Sequence, residues 1–70
     1  MRTHVTVAVV GAGVIGSIIV KAIAKRKPGW TVIGTGRSES TLKKVAELGG
    51  KPVRDNRAAV EQSDLLIIAV

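Results

Sequence analysis

The stretch VTVAVVGAGVIGSIIVKAIAK, residues 5–25, decides the fold of this 70-residue chain. Residues 5–10 form a short apolar run of strand-forming side chains, and residues 14–27 carry apolar side chains at helical spacing. Three glycines, Gly11, Gly13 and Gly16, lie at the junction between the two. The stretch therefore predicts a strand that turns tightly into a helix.

Helical spacing also predicts which side of this first helix is buried. Apolar residues three and four positions apart share one face, and the polar residues between them face solvent. By this rule Ser17, Lys21 and Lys25 should be wet. The side chains expected to pack are those of Ile15, Ile18, Ile19, Ala22 and Ile23.

The middle of the chain repeats the strand–helix alternation. Pro28 and Gly29 end the first helix, and the sequence WTVIGT at residues 30–35 predicts a second strand. Ser38 is a suitable N-cap for a second helix that runs to Leu48 and stops at the following pair of glycines.

The last third predicts three short elements. A brief third strand is expected at residues 51–53, followed by a short helix with Asp55 or Asn56 as its cap. Residues 64–70, DLLIIAV, then form a strand apolar enough to be covered on both faces.

Strand–helix repeats as short as these require right-handed crossovers and a parallel sheet. The sequence therefore predicts one α/β domain over residues 1–70, with a doubly wound sheet in the strand order 3-2-1-4. Two helices would cover one face and only the short third helix the other. An apolar face covered so thinly is expected to support self-association.

Composition excludes several classes of protein. The chain has no cysteine, which excludes disulfides and thiolate chemistry. A net charge of +6 attracts anions, but the basic residues are dispersed and Trp30 is the only aromatic side chain, which argues against nucleic acid as a partner. No signal peptide or long apolar run is recognisable, so a cytoplasmic protein without a membrane partner is expected.

The three glycines match the spacing G-x-G-x-x-G at a strand-to-helix junction. In dinucleotide-binding domains the first glycine permits the tight turn, the second lets a pyrophosphate approach the backbone, and the third lets the helix lie close to the strand. The amides of Ala12, Gly13, Val14 and Ile15 would then face the anion. This predicts a Rossmann-type fold, whereas the competing interpretation gives the glycines a packing role alone.

The end of the second strand indicates which dinucleotide is bound. NAD-binding domains place an acidic residue there to bind the ribose 2′-hydroxyl, but this chain has Arg37 and Ser38. A guanidinium and a hydroxyl suit a 2′-phosphate, so NADP(H) is the expected cofactor and NAD(H) the alternative. On the competing interpretation, Arg37 is a solvated turn residue and Ser38 only a helix cap.

Three segments resemble the amino-terminal cofactor domain of pyrroline-5-carboxylate reductases: VGAGVIG, GRSESTLKKVAELGG and DNRAAVEQSDLLIIAV. The resemblance implies an enzyme of proline biosynthesis that passes hydride from NADPH to a cyclic imine. It also implies that Asn56 faces the adenosine side, where it competes with a capping role, and that Ala69 and Val70 lie towards the nicotinamide ribose.

Other relatives stay open. Val14 and Ile15 stand where that family often has Asn-Met, which leaves coenzyme F420-dependent NADP reductases and prephenate dehydrogenases as alternatives. No residue is predicted to be catalytic or to bind metal, and His4 is expected at the far end of the sheet. The chain is expected to be the amino-terminal part of a longer reductase that by itself binds cofactor without turnover, and a stand-alone nucleotide-binding module is the alternative from another class.

Overall fold

The computed structural model describes residues 4–69, which form four strands and three helices in strict alternation. Each element predicted from the sequence is present, with ends that differ by at most two residues from the prediction for the part of the chain described. In order they are β1 (Thr6–Val10), α1 (Val14–Arg26), β2 (Thr31–Thr35), α2 (Glu39–Glu47), β3 (Lys51–Val53), α3 (Asn56–Gln62) and β4 (Leu65–Ile68).

The four strands form one parallel sheet in the order β3-β2-β1-β4. Val7 of β1 is in register with Val32 of β2 on one side and with Leu65 of β4 on the other. This arrangement confirms the predicted doubly wound, Rossmann-type sheet. All strand carboxyl ends therefore meet at one edge, where the glycine loop lies.

Two small apolar clusters hold the helices on opposite faces of the sheet. On the face of α1 and α2, Val9 and Val32 pack with Val20 and Val45, all of them fully or almost fully buried. The cluster on the other face is smaller and consists of Ala8, Ile33 and Ala59, with Val53 at its margin. The alternation of Ala8 and Val9 between the faces follows from the two-residue period of a strand.

The inner face of α1 differs from the prediction. Ile15 and Ile18 are more than 60% exposed, whereas Ser17 is only 6% exposed, so the prediction was wrong for these three residues. Gly16, Ser17 and Val20 are the buried residues of the helix, while Ile19 and Ile23 pack at the edge of the cluster as expected. The Ser17 hydroxyl is hydrogen-bonded to the Gly13 carbonyl, which removes the cost of burying it.

β4 is not covered on both faces by the described residues, contrary to the prediction. It lies at the edge of the sheet, and α3 packs over β1, β2 and β3 instead. Leu65, Leu66 and Ile68 are consequently between 42% and 64% exposed. A depression of about 400 Å³ separates α3 from the edge strand, and its apolar lining is Val10, Val60, Leu66 and Ile68.

Side-chain caps begin the second and third helices. Ser38 accepts a hydrogen bond from the Thr41 amide, and Asp55 accepts one from the Arg57 amide at 2.9 Å. Of the two candidate caps for α3, Asp55 is therefore the one used, and Asn56 is the first helical residue. α1 has no side-chain cap, so its amino terminus is open to a ligand.

Two of the three loop glycines are required by the fold itself. Gly11 has φ of +85°, a left-handed conformation that other residues adopt only with strain. A Cβ at Gly16 would collide with the carbonyl oxygen of Gly11. Gly16 therefore lets α1 pack directly on the turn that leaves β1.

Gly16→Val is expected to lower the free energy of unfolding by about 2 kcal/mol, a typical cost of overpacking a tight contact. For a domain of this size, that corresponds to a fall in Tm of about 10 °C. Thermal unfolding followed by circular dichroism measures it. Gly29→Val is the matched control, because a Cβ at Gly29 meets nothing within 4 Å; an equal Tm for the two variants would contradict the close contact.

Candidate functional site

A crevice of about 530 Å³ opens at the carboxyl ends of β1 and β2. Open α/β sheets bind their ligands at this edge, beside the point where the strand order reverses. Two further depressions, of about 260 and 230 Å³, adjoin it and share Gly13 with it. The crevice is lined by Val10, Gly11, Ala12, Gly13, Thr35, Gly36, Arg37, Thr41, Arg54 and Asn56.

Thr35, at the end of β2, fixes the glycine loop in place. Its hydroxyl accepts a hydrogen bond from the Gly11 amide at 3.0 Å, and its carbonyl accepts one from the Ala12 amide at 2.7 Å. Thr35 is buried, so these bonds are shielded from water. Sequence reasoning missed this role, although a threonine at the last position of the neighbouring strand was a usable signal.

The amides available to an anion are fewer than predicted. The Ala12 amide is bound to Thr35, and the Gly13 amide donates to the Gly11 carbonyl at 2.8 Å. The prediction of free amides was therefore wrong for these two residues. The helical hydrogen bonds begin with the Ser17 amide, which leaves the amides of Val14, Ile15 and Gly16 without a helical acceptor. These three lie at the positive end of the helix dipole.

Gly13 has no internal reason to be glycine. Its φ is −74°, outside the left-handed region, and a Cβ built on it would meet no atom within 4 Å apart from its chain neighbours. Gly11 and Gly16, in contrast, are forced by conformation and contact. The space above Gly13 is open to the crevice and to both adjoining depressions.

The other predicted site residues are distributed around this opening. Arg37 and Asn56 are exposed and line the crevice, and Ala69 lines the depression beside the glycines. Ser38 is confirmed as a helix cap, and its hydroxyl also donates to Thr41 Oγ1 at 2.9 Å. Its role towards a ligand stays a prediction. Val70 lies outside the described residues.

Arg54, just after β3, is a crevice residue that sequence reasoning missed. Its Nη1 donates to the Arg37 carbonyl at 2.8 Å, and its Nη2 forms an ion pair with the Glu39 carboxylate. Both partners are exposed, so solvent screens the pair. The usable signal was its position, since the residue that follows any strand of this sheet lies at the ligand edge.

No candidate acid–base or metal centre occurs among residues 4–69. These residues contain no group of three His, Cys, Asp or Glu side chains that could hold a metal. His4 lies at the opposite end of the sheet, where Nδ1 donates to the Gly29 carbonyl and the Thr31 hydroxyl donates to Nε2. Within the same part of the chain, no helix is both long enough and apolar enough to cross a membrane.

Comparison with known proteins identifies the group to which this architecture is related. Residues 6–70 match the family model described as NADP oxidoreductase, coenzyme F420-dependent. No curated protein matches the sequence.

Solved structures resemble the chain over nearly its whole length. A variant imine reductase from Myxococcus stipitatus in complex with NAD+ is 29% identical, with a TM-score of 0.84 over 99% of this chain and 23% of its own. A short chain alcohol dehydrogenase from E. coli, complexed with NADH, is 27% identical with a TM-score of 0.81 over 99% and 23%. One polypeptide of the dipicolinate synthase from Bacillus halodurans is 29% identical, with a TM-score of 0.78 over 100% and 24%. The chain thus spans about a quarter of the length of each.

Ser17→Ala is expected to lower the free energy of unfolding by about 1 kcal/mol, since it removes a buried hydroxyl from the carbonyls of Ala12 and Gly13. The fall in Tm should be about 5 °C for a domain of this size. Differential scanning calorimetry measures it. Ser63→Ala is the control, because that hydroxyl also bonds a helix carbonyl but in an exposed position. Equal melting temperatures for the two variants would contradict the anchoring role of Ser17.

Proposed function

Because the chain belongs to the family of coenzyme F420-dependent NADP oxidoreductases, we propose that it is the NADP(H)-binding domain of an oxidoreductase. The observation that carries the proposal is the open space above Gly13. A glycine that neither conformation nor packing requires is explained by a ligand that must approach the backbone there. Loss of the glycine would then cost binding and spare the fold.

In this proposal the pyrophosphate lies over Gly13. The amides of Val14 and Ile15 donate to it, with the positive end of the α1 dipole behind them. No acidic side chain occurs in the first turn of α1, so no carboxylate opposes the anion. The adenosine side extends towards Arg37 and Asn56, and the nicotinamide side towards Ala69 and Val70.

NADP(H) is preferred to NAD(H) because the crevice beyond β2 is lined by cationic side chains. Arg37 stands where NAD-binding domains need a carboxylate, and its side chain is exposed at the crevice. The resemblance to structures solved with NAD+ and NADH keeps NAD(H) as the competing cofactor.

The substrate proposed for the whole protein is a small cyclic imine, with pyrroline-5-carboxylate as the leading case. The likeness to an imine reductase and the three segments shared with pyrroline-5-carboxylate reductases support this class. The bound cofactor supplies the hydride, while the residues of this domain bind and orient it. Proline biosynthesis in the cytoplasm is the corresponding setting.

Reduction of NADP by reduced coenzyme F420 is the second candidate. The description of the matching family favours it, as do Val14 and Ile15 in place of Asn-Met. Titration of the protein with NADPH, NADH and reduced coenzyme F420 separates the two candidates. Binding of reduced F420 in the presence of NADP would favour the second, and its absence the first.

Gly13→Val is expected to abolish NADPH binding while Tm stays within about 2 °C of the parent, because the added side chain fills space that only a ligand would use. Fluorescence titration with NADPH and thermal unfolding are measured on the same sample. Retained affinity in the folded variant would refute the placement of the pyrophosphate. Gly29→Val again serves as the control, with normal binding expected.

Arg37→Ala is expected to weaken NADPH binding by about 1.5 kcal/mol, the lower end of the range for a charged hydrogen bond, since the side chain is exposed. That is roughly a tenfold loss of affinity. NADH, which lacks the 2′-phosphate, should lose less than about twofold. Titration of the variant with both cofactors checks this, and equal losses would mean that Arg37 contacts only the adenine.

A further inference from the structure

Arg54 stands at the adenosine end of the crevice, on a different element from Arg37. It follows β3, and it reaches across to α2 and to the turn after β2. One guanidinium nitrogen holds the Arg37 carbonyl and another pairs with Glu39, while the side chain also lines the crevice. Two arginines from separate parts of the chain thus converge on one opening.

We propose that Arg54 is a second phosphate-binding arginine that selects NADP(H), and that Glu39 is its counterion when no phosphate is bound. This inference rests on the proposed function. The chemical group recognised is the monoester phosphate on the adenosine ribose. A planar guanidinium already positioned by one nitrogen can present its remaining N–H groups to the phosphate oxygens.

Glu39 gives the arrangement its selectivity. A phosphate dianion competes with a single carboxylate for Arg54, and the exposed ion pair costs little to break. A cofactor with only a 2′-hydroxyl cannot displace the carboxylate, so Arg54 stays paired and contributes nothing to binding. The Glu39 carboxylate also repels the incoming phosphate, which limits the affinity for NADP(H).

The bond from Arg54 to the Arg37 carbonyl has a separate effect. It ties the start of β3–α3 to the turn that carries Arg37 and so sets the distance between the two cationic groups. A purely structural role would consist of this tie alone. It would affect NADPH and NADH equally, because both share the adenosine that lies against the turn.

The experiment measures dissociation constants for NADPH and NADH in four variants: Arg54→Ala, Glu39→Gln, the double variant and Arg26→Ala. Arg26 ends α1 and is exposed outside the crevice, so its substitution removes the same charge without touching the site. Arg54→Ala should weaken NADPH about fivefold, and Glu39→Gln should strengthen it about two- to threefold. NADH should change less than about twofold in both.

In the double variant the gain from Glu39→Gln should shrink, because the arginine that it releases is gone. Salt should reduce the NADPH preference of the parent and leave Arg54→Ala less affected. Equal losses of NADPH and NADH in Arg54→Ala, or the same NADPH loss in Arg26→Ala, would overturn the inference. An NADH loss in Glu39→Gln would also overturn it, by making Glu39 a ribose ligand.

Failure of the proposed function gives a different result. If the parent protein binds neither cofactor, or if Gly13→Val binds as well as the parent, the dinucleotide assignment itself falls. If the parent binds NADPH and Gly13→Val does not, while Arg54→Ala matches the parent for both cofactors, only the role of Arg54 is refuted.

Discussion

The direct contact of α1 with the turn that leaves β1 is the constraint on which the rest of the domain depends. The backbone at Gly16 lies against the Gly11 carbonyl, at a separation that leaves no room for a side chain. This contact fixes the rotation of α1 about its axis, so Val20 faces the sheet and Ile18 faces solvent. It also aims the free amides of the first turn at the crevice, which makes one packing contact responsible for both the core and the anion site.

The topology was predictable because each element carries a local signal. Apolar runs of β-branched residues, caps at Ser38 and Asp55, and glycines after α2 all agree with a parallel sheet in the order that the structure has. Handedness then leaves few alternatives for strand–helix repeats of this length. The thin covering of the α3 face also followed, since only one short helix was available for it.

The inner face of α1 was not predictable from hydrophobic periodicity. Periodicity counts large apolar side chains, but this face is defined by the smallest residue, Gly16, and by a serine whose hydroxyl is satisfied by backbone carbonyls. β4 was misjudged for a related reason: apolar composition gives the tendency to be buried, while actual burial depends on which helix reaches the strand.

At the candidate site, the glycine spacing located the crevice, because a turn, an open approach and a helix contact each need a glycine at a given place. Thr35 and Arg54 were missed since their partners are distant in sequence: Gly11 is 24 residues from Thr35, and Glu39 is 15 residues from Arg54. Side-chain bonds of this kind depend on strand register, which composition does not encode.

The two hydrogen bonds from the glycine loop to Thr35 make the spacing between the ends of β1 and β2 a property of the empty protein. The groups on either side of this brace act as a ruler whose length is set before any ligand arrives. A molecule that spans both therefore loses its own freedom on binding, but the backbone around Thr35 has little left to lose. Discrimination at this crevice then falls mainly on ligand length and charge, because the brace prevents the two ends from adjusting to a poorer match.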